Sequence, residues 1–276
     1  MKRILTALVA LPILLYTVWN EIPYFFVAIA AVAVMIGIAE FYGLASKAGY
    51  RPVQALGYPA ALAVVAASAC ESHAWIVAAL AALTLGALAV EVFTAEDMQK
   101  SLASVSATVS GVIYIALLLG FLIALRMTPD DFTAPATPKL AAKLLTMFFA
   151  MVMMTDTGAY YTGRSIGRHK LAPRVSPGKT IEGSIGGFIS AALAGLASKY
   201  IFFPEIPALH AVLLGAVVGV LGQIGDLAES LLKRGSQVKD SGSIFPGHGG
   251  MLDRVDSILF CAPLIYYYSR LLFPKS

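Results

Sequence analysis

Apolar runs long enough to cross a membrane recur from one end of this sequence to the other, and they restrict its fold more than any other feature. A bilayer core of about 30 Å takes roughly 20 consecutive apolar residues as a helix. On that ruler nine spans are expected, at 4–19, 22–45, 53–70, 74–93, 102–125, 140–161, 183–203, 209–232 and 257–273. Backbone groups in hydrocarbon must bond to one another, so runs of this length fold as helices. The expected class is all-α: a polytopic integral membrane helical bundle, one domain over residues 1–276. Pro12 interrupts the first run, and no small-residue cleavage site follows it, so it reads as a retained span. Residues 94–101, with Glu96, Asp97 and Lys100, form a polar break, and Thr128 to Lys139, with Pro129, Pro135 and Pro138, a loop.

Composition agrees. Apolar residues make up 58% of the chain and charged ones 13%, and a mean hydropathy of +0.78 lies outside the range of soluble domains. The net charge of +4 matters less than its placement. With the N-terminus in the cytoplasm and sides alternating through nine spans, fourteen of the 20 Lys and Arg residues fall on the cytoplasmic side, as the positive-inside rule requires. The polar loops 162–182 and 233–256 then share that side, and a bacterial cytoplasmic (inner) membrane is the expected location. The basic residues sit in short loops between apolar runs, which argues against nucleic-acid binding. Cys70 and Cys261 both lie in apolar segments and suggest neither a disulfide nor a thiolate metal site.

Chemistry concentrates in 150–256. Ser230 to Asp256 packs Lys233, Arg234, Lys239, Arg254, Asp240, Asp253, Asp256 and His248 among glycines and Pro246. Just upstream, Asp226 and Glu229 stand at i, i+3 on one helical face, a spacing that Asp253 and Asp256 repeat. Carboxylates within spans are costly and need a reason. Two acid pairs near one membrane surface supply the oxygen ligands that Mg²⁺ takes alongside phosphates and water. Asp226, Asp253 and Asp256 are the candidate metal ligands; the alternative for the last two is capping of the final helix. Glu40 and Glu91, near helix ends, read as interfacial and structural. Asp156, in Thr155-Asp156-Thr157-Gly158, could be a metal ligand, a nucleotide anchor or a packing group.

Ser176-Pro177-Gly178-Lys179-Thr180 looks like the tail of a P-loop, but Pro173 stands where the first glycine belongs and no strand is expected before it. Lys179 and Thr180 can still meet an oxyanion with charge and with N–H groups at the start of the next helix. His248, flanked by Gly247 and by Gly249 and Gly250, reads as a positioning residue where the backbone can approach a ligand closely.

The pattern Ser230, Leu232, Lys233, Arg234, Lys239, Asp240, Pro246, His248, Gly249, Gly250, Asp253, Arg254 and Asp256 resembles the signature of the phosphatidate cytidylyltransferases (CDP-diacylglycerol synthases), without a departure. The likeness reaches from about residue 150 to the C-terminus. It implies that CTP and phosphatidate react to give CDP-diacylglycerol and pyrophosphate at the lipid bilayer, with Mg²⁺ required. It also implies paired metal ions and a homodimer. The implied catalytic residues are Asp226, Asp253, Lys233, Arg234, Lys239 and Arg254. Lys179, Thr180, Ser176, Asp156, His248, Gly249 and Gly250 would bind substrate.

Overall fold

The computed structural model describes residues 2–128, 139–244 and 249–273, residues 2–10 by backbone alone. Ten α-helices carry the chain among these residues: α1 (Lys2–Trp19), α2 (Tyr24–Lys47), α3 (Gln54–Ala69), α4 (His73–Thr94), α5 (Met98–Gly111), α6 (Leu118–Met127), α7 (Leu140–Ile166), α8 (Ile181–Ile201), α9 (Ala208–Gly235) and α10 (Leu252–Leu272). A π-helical turn, Val112–Leu117, joins α5 to α6. Between α7 and α8 lies an antiparallel hairpin, β1 (Lys170–Ala172) with β2 (Ser176–Thr180), in which Lys170 pairs with Thr180. Apart from this hairpin the described residues form an all-α polytopic membrane bundle.

Six stretches among the described residues are long and apolar enough to cross a bilayer: α2, α4, the continuous Met98–Met127 run, α7, α8 and α9. The expectation of nine spans is corrected to this number. At 16 residues α3 is short of a bilayer's depth. Charged Asp253, Arg254, Asp256 and Arg270 and three tyrosines dilute α10. The first expected span begins in residues described by backbone alone, and most of the expected loop after Thr128 lies outside the described residues.

The chain divides into two compact units, Met1–Met127 with Leu232–Val255 and Thr128–Leu231 with Asp256–Ser276. In the first, α2 buries Phe26, Ala30, Val34, Ile38 and Tyr42 at every fourth position, one face of the helix. Tyr42 is fully buried and donates its hydroxyl hydrogen to the Thr108 carbonyl at 2.9 Å. Gly57 and Gly111 make room for that ring; a Cβ at Gly111 would stand 2.7 Å from Tyr42 Cε1. The start of α3 is tied to α5, because Val53 N–H donates to Thr108 Oγ1 (2.8 Å) and Arg51 N–H to Ser104 Oγ (3.0 Å).

In the second unit α7 and α8 pack along most of their lengths. Lipid provides no hydrophobic drive between helices, so close backbone approach through small residues does the work. A Cβ on Gly183 would lie 2.8 Å from the Ala159 carbonyl oxygen, and one on Gly187 2.8 Å from that of Thr155. The seam continues into α9, where Gly195 abuts the Ala211 carbonyl and Gly215 that of Ala191. It reaches α10 where a Cβ on Gly225 would stand 2.5 Å from the Asp256 carbonyl oxygen.

Candidate active site

The second unit holds a cavity of about 400 Å³, lined among others by Asp156, Tyr160, Arg164, Lys179, Gln223 and Asp226. That volume is within the range of small-molecule sites. Each wall has a local cause. Helix α7 is held against α8 by the glycine seam, so Asp156, Tyr160 and Arg164 follow one another along a single face at i, i+4 and i+8. Tyr160 accepts a hydrogen bond from Arg164 Nη1 at 2.9 Å. The hairpin carries Gly178, Lys179 and Thr180 to the rim. From α9, Gln223 donates Nε2 hydrogens to the carbonyls of Ser184 (3.1 Å) and Gly219 (2.7 Å), and Asp226 lies almost one turn further on.

Lys179 Nζ sits 2.6 Å from Asp226 Oδ2, with both side chains partly exposed. The approach is off the line of a hydrogen bond, and Nζ has no hydrogen-bond acceptor among the described residues. An ammonium with three donors and this single ion pair has donors to offer phosphate oxygens.

The expected strand-free loop is corrected: Gly178-Lys179-Thr180 is itself the end of β2, so it cannot wrap phosphates as a P-loop does. Two of the helix-terminal N–H groups are also taken. Ile181 N–H donates to the His169 carbonyl at 2.9 Å, and Gly183 N–H to Thr180 Oγ1 at 3.1 Å. Glu182 accepts from the backbone N–H of Arg168 and His169. The cationic side chains at this rim are Lys179 and Arg164. Ser176, at the far end of β2, pairs with Ala172 and is not part of the lining. Glu229 is fully buried and does not line the cavity with Asp226.

A separate constellation occupies the first unit. Asp253, in the first turn of α10, receives Lys233 Nζ on Oδ1 at 2.5 Å, with side chains only 11% and 9% exposed. Its Oδ2 accepts from Gly250 N–H (2.8 Å), Ser241 N–H (3.1 Å) and Ser241 Oγ (2.9 Å). Burial works against the charge, and these donors outweigh it, holding the carboxyl down at about 2. Gly249 adopts φ +78°, and a Cβ there would collide with Asp253.

The N-terminus of α10 is capped not by its own aspartates but by Glu40 of α2. Glu40 Oε1 accepts Met251 N–H at 2.9 Å and Oε2 accepts Leu252 N–H at 2.8 Å. Sequence reasoning assigned Glu40 to the membrane interface. The only available signal was an acid inside an apolar run, which says nothing of a partner two hundred residues away. Gln223, Tyr160 and Arg164 were also missed; a glutamine between two glycines in an apolar helix was the visible clue.

Of the other expected residues, Arg234 donates Nη1 to the Val238 carbonyl at 3.3 Å, while Lys239 and Arg254 are exposed. Asp256 lies in the second unit, where its carbonyl packs on Gly225, the neighbour of Asp226. His248 is outside the described residues. Among those residues no group of three or more His, Cys, Asp or Glu side chains gathers as a metal cage.

The sequence profile of the cytidylyltransferase family matches residues 1–272. The chain belongs to the cytidylyltransferase family. Its relatives in that family include the phosphatidate cytidylyltransferase of Synechocystis sp. (strain ATCC 27184 / PCC 6803 / Kazusa), 31% identical over 269 residues, an alignment covering 91% of this chain and 90% of the relative. The phosphatidate cytidylyltransferase of Bacillus subtilis (strain 168) is 46% identical over 123 residues, 44% of this chain and 46% of that one. That of Staphylococcus aureus (strain COL) is 50% identical over 119 residues, 42% and 45% of the two chains. The two stronger identities thus span under half of those relatives' length.

Proposed function

We propose that the chain is a CTP:phosphatidate cytidylyltransferase, a nucleotidyltransferase of phospholipid biosynthesis that makes CDP-diacylglycerol and pyrophosphate. The observation that carries this reading is the cavity where Lys179 and Arg164 meet Asp156 and Asp226 beside membrane-crossing helices. Cations suit the phosphates of a triphosphate and of a lipid, and carboxylates suit a hard metal ion.

A phosphate oxygen of phosphatidate attacks the α-phosphorus of CTP. The new P–O bond forms as the bond from that phosphorus to the bridging oxygen breaks, and pyrophosphate leaves with the electron pair. An ionised phosphomonoester is already a nucleophile, so positioning and charge neutralisation are the main demands. Lys179 supplies positive charge from the hairpin, and Arg164, oriented by Tyr160, supplies a planar donor set from α7. By the family resemblance Lys233, Arg234, Lys239 and Arg254 are proposed as further phosphate ligands and Thr180, His248, Gly249 and Gly250 as substrate-binding residues; Ser176, off the cavity lining, is not retained.

The donor chemistry fits Mg²⁺, which uses one or two protein carboxylates with water and substrate phosphates and needs no closed protein cage. Asp226 would hold it, with Asp156 on the same cavity and Asp256 on the helix packed at Gly225. Asp253 is a separate candidate ligand within the first unit, where its Oδ1 is paired with Lys233. When bound, the ion neutralises charge on the triphosphate; a second, paired ion is part of the proposal. The enzyme acts as a homodimer in the bacterial inner membrane, with its N-terminus and active site facing the cytoplasm and its catalytic elements concentrated in 150–256.

The test is direct. The chain is purified in detergent and incubated with phosphatidate and radiolabelled CTP, with and without EDTA. Labelled CDP-diacylglycerol that forms only with free Mg²⁺ is the expected result, and no labelled lipid under any metal condition overturns the reading.

A further inference from the structure

In the first unit Glu40 and Asp253 reach the same hydroxyl from opposite ends of the sequence. Ser241 Oγ lies 2.9 Å from Glu40 Oε2 and 2.9 Å from Asp253 Oδ2. A serine hydroxyl carries one hydrogen, so it serves one carboxylate at a time, while backbone N–H groups hold the other. Glu40 also accepts from Met251 and Leu252, and Asp253 from Ser241 and Gly250. Both ends of the 241–252 segment are therefore tied to one pair of acids.

The fit around Glu40 excludes side chains. A Cβ on Gly250 would strike both Glu40 oxygens and Ser241 Oγ, and one on Gly242 would strike Glu40 Oε1. Two glycines thus give way to a carboxylate from a distant helix. Among the described residues the hydrogen-bond partners of that carboxylate are all donors: two backbone N–H groups and a hydroxyl. A carboxylate satisfies them all, whereas an amide turns one hydrogen-bond acceptor into a donor facing donors.

We propose that Glu40 is a positioning residue for the transfer reaction, fixing the segment that carries Gly249, Gly250 and Asp253 by capping α10 and bonding Ser241. This deepens the reading of the chain as a phosphatidate cytidylyltransferase and rests on it. Glu40 touches no reacting atom; it acts through Asp253 and, by way of Asp253, Lys233.

The test compares full-length wild type with Glu40→Gln and Glu40→Asp in detergent, by CTP- and phosphatidate-dependent turnover, thermal unfolding and amide hydrogen exchange over 241–252. Glu40→Gln is expected to lower kcat roughly tenfold or more, as loss of charge-assisted hydrogen bonds implies, with KM for phosphatidate near wild type and a folded protein at the assay temperature. The Met251 and Leu252 amides should exchange faster. Glu40→Asp, which keeps the charge on a shorter stem, should recover part of the kcat. Wild-type kcat in Glu40→Gln overturns the proposal, as does a loss of activity matched by an equal loss of folded protein with unchanged exchange. If wild type itself makes no CDP-diacylglycerol, the functional reading fails and the role in transfer with it, while exchange at Met251 and Leu252 still reports whether the clamp exists.

Discussion

Lys179 and Asp226 form an ion pair across the cavity of the second unit, the cation delivered by a β-hairpin and the anion by α9. Each would exchange its partner during turnover: the ammonium for phosphate oxygens, the carboxylate for a metal ion. Lys179 Nζ is shielded from solvent and has no hydrogen-bond acceptor among the described residues, so an incoming phosphate oxygen would meet an ammonium with donors unused.

Asp226→Asn should lower CTP- and Mg²⁺-dependent turnover by about a hundredfold, the scale of losing a group that stabilises transition-state charge. The variant should still insert and purify as wild type does. Near-normal turnover would remove Asp226 from the metal site.

Lys179→Ala should weaken the use of CTP, by about tenfold in apparent KM from the loss of one charge-assisted contact. Steady-state kinetics at varied CTP measure this. Unchanged KM and kcat would exclude Lys179 from phosphate binding.

Chelation offers a second route to the carboxylates. Excess EDTA should abolish turnover, and Mg²⁺ added back should restore it without refolding. Thermal unfolding should barely shift, because Lys179 and Lys233 neutralise Asp226 and Asp253 in the metal-free protein. A large drop in melting temperature on chelation would point to a structural ion instead.

The glycine seam predicts a contrast in stability. Gly195→Ala pushes a methyl group into the Ala211 carbonyl, which belongs to a packed backbone and cannot yield. A loss of about 1–3 kcal/mol is expected, as for other overpacked sites. Gly43→Ala meets nothing within 4 Å, and inside α2, toward its C-terminal end, it should be neutral or slightly stabilising. Thermal unfolding of the two variants in one detergent decides the matter.

Much of the helical framework was readable from hydropathy. The expected 74–93 and 22–45 correspond to His73–Thr94 and Tyr24–Lys47, because lipid tolerates only helix over such runs. The polar break at 94–101 proved narrower: Asp97 accepts Gln99 N–H at 3.0 Å and starts α5, so polar residues there lie inside a helix. The hairpin escaped notice since Pro177 and Gly178 argue against strand on local grounds. In the site, Asp156, Lys179, Thr180 and Asp226 were picked out by residue type amid apolar surroundings. Glu40 was not, for its meaning lies in two backbone N–H groups more than two hundred positions away.

Gly163, Gly183 and Ser184 line the cavity on the side where α7 meets α8, and main-chain contact sets the spacing of those helices. At Gly183 that wall is a fixed template, since a side chain there would meet the Ala159 carbonyl and force the helices apart instead of reshaping the hollow. Divergence in what the cavity accepts then falls to lining side chains outside that glycine contact, such as the exposed Tyr160 and Arg164.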